Sequence, residues 1–97
     1  MTTISKEEIA KWKAKYGDVF MVEVEGKRGY LRKPDRKVLS YAFSKGQHDP
    51  LAMSEVILTS CWLAGDEELR TDDSYFLAIN TQIDQLVEIK TAQIKKL

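Results

Sequence analysis

A single cysteine, Cys61, cannot form an internal disulfide, so a reducing cytosol is the expected setting. Histidine is equally scarce, with His48 alone. A catalytic base there would need a nucleophile and an orienting partner nearby, and neither is present in the surrounding sequence. Net charge is absent too: 15 Lys and Arg balance 15 Asp and Glu. That balance argues against a dedicated nucleic-acid binder, which usually needs a basic face. No apolar run is long enough to cross a membrane, and Met1 to Lys6 hold no run of signal-peptide length. Internal repeats, low-complexity tracts and linker-like stretches are also missing. What remains is 97 residues, 43% hydrophobic and 31% charged, the size and balance of one globular domain.

The segment from Asp49 to Gly65 stands out. Asp49 suits an N-cap, Pro50 the first helical position, and Gly65 a left-handed close. Between them Glu55 and Thr59 form one narrow polar stripe and the other faces are mostly apolar. A helix of this kind is buried, or stays exposed until a partner covers it. It is expected to be the central helix of the fold.

Upstream, Ser5 and Glu8 have capping-box spacing, and Ile4 and Ile9 that of a hydrophobic staple. A first helix is expected to run to about Tyr16, with Ile9, Trp12 and Tyr16 on one side, and to end at Gly17. Period two then takes over: Phe20, Val22 and Val24 alternate with Met21 and Glu23. Gly26-Lys27 reads as a type II′ turn. That register sets Val22 opposite Leu31, Glu25 opposite Arg28 and Glu23 opposite Tyr30. A lone hairpin is marginal in water, so it must lie on helices or pair further. Pro34 stops the second strand. Asp35 can cap a second helix, with Val38, Leu39, Ala42 and Phe43 as its apolar stripe and Gly46 as its close. After the central helix comes an acidic connector, Asp66 to Arg70. Thr71 or Asp72 then caps a last helix reaching Leu97, about 39 Å long at ~1.5 Å per residue. Phe76, Ile79, Ile83 and Leu86 form its packed face, and its final turns should overhang the core. The expected fold is a single α+β domain: an N-terminal helix, a two-stranded β-hairpin, then three helices packed as a small bundle with a long C-terminal helix.

Chemistry-bearing constellations are few. Cys61 in an apolar helix reads as a buried structural thiol. The acidic residues Asp66, Glu67, Glu68, Asp72 and Asp73 lack the spacing and the central glycine of an EF-hand loop. No metal, cofactor or catalytic residue is expected. The basic stretch Lys27 to Lys37 carries more signal. Arg36 and Lys37 would sit in the first turn of a helix, against its dipole. The stretch reads as a solvated hairpin edge, as a patch paired within the chain, or as a site for an acidic partner. Candidate partner-binding residues are Arg32, Arg36 and Lys37, together with Ile89, Ile94 and Leu97, spaced apolar residues on the expected overhang. The overhang could equally pair with a second copy, giving a homo-oligomer.

Three short strings occur in order: Arg32-Lys33-Pro34-Asp35-Arg36-Lys37-Val38-Leu39 after a hairpin, Asp49-Pro50 with Cys61-Trp62-Leu63-Ala64-Gly65-Asp66, and Asp72-Asp73-Ser74-Tyr75-Phe76-Leu77-Ala78. In layout and in these strings the chain resembles small phage and prophage tail-module proteins of the tail assembly chaperone kind. The resemblance implies a mostly helical protein with a small sheet and no catalytic residues, acting in the cytoplasm of a bacterial host. It implies binding to the long helical tape-measure protein before the tail tube forms, and a longer frameshifted product in many members. The competing expectation is a prophage regulator that binds a host protein or nucleic acid through residues 27–37.

Overall fold

A computed structural model describes residues 4–87 and 92–97. Helix α1 (Lys6–Tyr16) begins where Ser5 accepts a hydrogen bond from the Glu8 N–H, and ends at Gly17. Strands β1 (Val19–Val24) and β2 (Lys27–Arg32) form the hairpin. Helix α2 (Arg36–Gly46) is capped by Asp35, which accepts from the Val38 N–H. Helix α3 (Pro50–Cys61) is capped by Asp49, with Pro50 in its first turn. A third strand, β3 (Trp62–Gly65), follows at once. Short α4 (Glu68–Thr71), α5 (Asp73–Asn80) and a 3₁₀ turn (Ile83–Leu86) complete the described elements. The class is α+β, as expected, but the sheet has three antiparallel strands in the order β1-β2-β3 rather than two.

The added strand corrects the long central helix. At Trp62 the backbone turns to φ −63° and ψ 127°, which ends the helix. Leu31 pairs with Trp62, Tyr30 with Ala64 and Gly29 with Gly65. The ladder skips Leu63, a bulge that shifts the register by one residue between Tyr30 and Leu31. A two-stranded hairpin needs further pairing to be stable, and residues 62–65 supply it. Gly65 therefore closes no helix; it lies against the backbone of β2.

The hairpin register also differs from expectation. Val22 pairs with Gly29, Glu23 with Arg28 and Phe20 with Leu31. The turn residues are Glu25 at φ 50° and Gly26 at φ 81°, both positive as in a type I′ turn. Glycine thus takes the second turn position, not the first. The shift is by two residues, so the faces are preserved: Phe20, Val22 and Val24 still pack on the core side. The facing charges are Glu23 and Arg28, joined at 2.8 Å, not Glu25 and Arg28.

The core is built from Leu31 of β2, Ala42 of α2, Ile57, Leu58 and Cys61 of α3, Leu69, Ile79, and Ile83 and Leu86 of the 3₁₀ turn. Ser54 is buried among them, and its hydroxyl is satisfied by the Asn80 side-chain oxygen. Val38 and Leu39 pack on this core, whereas Phe43 is 49% exposed and leaves the expected stripe. The other sheet face is met by α1, whose Trp12 ring lies 5.9 Å from that of Tyr30.

The long C-terminal helix is the largest correction. Asp72 does cap α5, accepting from the Ser74 and Tyr75 N–H groups. The helix then stops at Asn80. The Asn80 side chain is held by Ser54, and Thr81 turns its hydroxyl back onto the Ala78 carbonyl at 2.7 Å. Side-chain bonds of this sort compete with helix continuation. Ile83 and Leu86 still reach the core, through a 3₁₀ turn instead of an α-helix. Residues 92–97 have no regular structure and are exposed.

Candidate functional site

The expected basic patch is largely consumed inside the fold. Lys27 reaches Glu68 at 3.2 Å and Arg28 reaches Glu23 at 2.8 Å. The Glu68 carboxylate raises the Lys27 pKa and the Glu23 carboxylate raises that of Arg28, each by hydrogen bond and by charge. Arg32 donates from Nη2 to the Ser60 carbonyl at 3.3 Å, satisfying a group in the last turn of α3. Its Nη1 stands 3.7 Å from Asp35, and its guanidinium lies over the Tyr16 ring. Arg36 and Lys37 are exposed, and no ion pair to either is seen among the described residues. The acidic connector does not offset them. Asp66 accepts from the Arg28 N–H at 3.0 Å, Glu68 holds Lys27, and Glu67 pairs with Arg70. Asp35, the cap of α2, is the nearest carboxylate in sequence to Arg36 and Lys37, and it opposes their cost against the dipole.

Of the expected apolar partner residues, Ile94 and Leu97 are fully exposed. Ile89 lies outside the described residues. His48 is exposed in the turn between α2 and α3. Cys61 is buried, and burial pushes its thiol up to about 11. Only about one molecule in a thousand would carry the thiolate at pH 8, so native Cys61 should resist alkylation there and react at the ordinary rate once unfolded. A thiol-reagent time course with and without denaturant measures this; equal rates would place the sulfur within reach of solvent. Among the described residues no group of three or more His, Cys, Asp and Glu is placed to hold a metal ion. No described helix is long and apolar enough to cross a membrane.

Sequence reasoning missed two grooves. The first separates α3 from α5 and has a volume of about 490 Å³. Leu51, Glu55 and Thr59 recur every four residues along the α3 side, and Leu58 lies behind them. Phe76 and Leu77 form the α5 side. Leu51 and Leu77 are 41% and 49% exposed, large apolar groups left uncovered. Among the described residues Asp49, Glu55 and Asp73 line the groove against Arg70 alone, so its rim is acidic. The signal is in the helix: Leu51 continues the Glu55–Thr59 stripe at the same four-residue spacing. The second groove, about 460 Å³, runs between β1 and the α5–3₁₀ segment. It was hidden because a continuous last helix was expected there. Comparison with protein-family models, with curated proteins and with solved structures finds no match for the chain.

Proposed function

We propose that the chain is a non-enzymatic assembly chaperone or adaptor that holds a phage tail protein, the tape-measure protein, in the host cytoplasm during tail assembly. The observation that carries this reading is the groove between α3 and α5, with exposed leucines inside and carboxylates around it. Helix-in-groove recognition needs these features: an apolar slot for residues at helical spacing and a rim that fixes orientation. The client segment that fits is an amphipathic helix whose apolar face is flanked by Lys or Arg. A long helical tape-measure protein offers many such faces, and the resemblance of the three short strings supplies that class of client. The carboxylate partners of Lys27, Arg28 and Arg32 weigh against the regulator reading, because they leave few basic groups for nucleic acid.

The test is co-purification with the tape-measure protein from the same tail gene cluster. Leu51→Asp and Leu77→Asp each change a surface position, where stability effects are usually within about 0.5 kcal/mol. Each should lower client recovery by about tenfold while the melting temperature stays close to that of the unaltered protein. Client recovery unaffected by both substitutions would remove this groove as the binding surface.

A further inference from the structure

Strand β1 is an edge of the sheet and pairs with β2 alone among the described residues. In a two-residue hairpin the hydrogen-bonded pairs alternate, starting from Val24 and Lys27. Met21 and Glu23 therefore turn their N–H and C=O groups outward, with no described sheet partner. An edge of this kind is a template for another strand. It does not face water alone: the groove beside it is walled by Ile79, Ile83 and Leu86, with Phe20, Val22 and Val24 on the strand side. Among the described residues its charged lining is Glu23 and Glu25, with no Lys or Arg. Arg28 occupies Oε2 of Glu23, and a carboxylate can accept at both oxygens.

The chain carries a segment with the complementary pattern. Ala92-Gln93-Ile94-Lys95-Lys96-Leu97 has no regular structure and is exposed throughout. Its length equals the six residues of β1. In an extended conformation Ala92, Ile94 and Lys96 fall on one face, Gln93, Lys95 and Leu97 on the other. Along β1 the apolar residues Phe20, Val22 and Val24 share one face, and Met21 and Glu23 the other. Matching the faces turns Ile94 into the apolar groove, brings Lys95 beside Glu23, and brings Leu97 to the side of Met21, which is 50% exposed. Lys96 shares the face of Ile94, so its stem lies along the groove and its ammonium reaches out to water past the rim.

We propose that this groove receives the C-terminal segment of a second copy of the chain, laid along β1 as a fourth strand. Backbone pairing holds the segment, the apolar groove selects Ile94, and the carboxylates select the lysines. A reciprocal exchange between two copies closes the assembly. The proposal is independent of the tail client, whose groove lies between α3 and α5.

Charge reversal tests it on the full chain. Glu23→Lys and Lys95→Glu should each weaken self-association by about tenfold, because each sets like charges together at the contact. The double variant restores opposite charges and should associate as the unaltered protein does. An equimolar mixture of the two single variants should also associate, since each groove then meets the opposite charge on the other chain's tail. Ile94→Asp should leave the protein monomeric. Sedimentation velocity over a range of concentrations reads all of these, with thermal melting to show that each variant is folded. An unaltered protein that stays monomeric overturns the proposal, as do single variants that associate normally. Recovery in the double variant without recovery in the mixture would also overturn the exchange of tails between copies.

Discussion

Trp62→Ala should lower the stability of the fold by about 3 kcal/mol. Trp-to-Ala changes in cores cost ~3–5 kcal/mol, and a partly buried ring sits at the low end. The ring earns its place through two neighbours. It packs over the position where Gly29 has no side chain: a Cβ on Gly29 would lie 2.7 Å from two ring carbons and 3.1 Å from a Leu69 methyl. The Arg70 guanidinium lies 4.7 Å from the ring centroid, in cation–π range. Trp62 thus ties β3 to β2 and to α4. A domain of this size has a total stability of ~5–15 kcal/mol, so the loss is a large share. At ~4–8 °C per kcal/mol the melting temperature should fall by about 12–24 °C. Thermal melting followed by far-ultraviolet circular dichroism measures it. A melting temperature unchanged to within a degree or two would show that the ring is dispensable to the fold, and would move attention to it as a contact residue.

The parts of this fold that were legible in the sequence are those set by local chemistry. Ser5, Asp35, Asp49 and Asp72 each cap a helix where the sequence places them. Period two located the hairpin and its buried face, because an error of two residues in register leaves the faces unchanged. What failed was set by pairing at a distance. Trp62 to Gly65 continues the apolar character of α3, and nothing local separates a last helical turn from a short strand. The hairpin's unmet need for a partner decides it. Similarly, Asn80 ends α5 in company with Ser54, a residue 26 positions earlier. The groove between α3 and α5 was half legible, since Leu51 could be read from its stripe but Leu77 could not be placed opposite it. The groove beside β1 depends on where the last helix stops, so it was out of reach.

Gly65→Ala should cost more than any other single methyl addition at a glycine of positive φ in the described chain, about 2–6 kcal/mol. Two effects combine. The backbone at Gly65 has φ 137°, a region that side chains rarely adopt, and the strain there is of order 1–3 kcal/mol. The new Cβ would also stand 2.4 Å from the Arg28 carbonyl oxygen and 2.6 Å from the Gly29 Cα. Both atoms are backbone and cannot swing aside, so β2 and β3 must separate, at a further ~1–3 kcal/mol of overpacking. Separation also strains the clasp just beyond, where Asp66 N–H donates to the Arg28 carbonyl at 2.9 Å and the Asp66 carboxylate accepts from the Arg28 N–H at 3.0 Å. Gly26→Ala is the control. Gly26 has φ 81°, but a Cβ there would meet nothing within 4 Å, so only the left-handed backbone cost of roughly 1–2 kcal/mol applies. Urea unfolding of both variants separates the two contributions. Gly65→Ala should be the less stable by about 2 kcal/mol or more. Equal losses would mean that β3 does not approach β2 at Gly65, and residues 62–65 would then revert to the end of a helix.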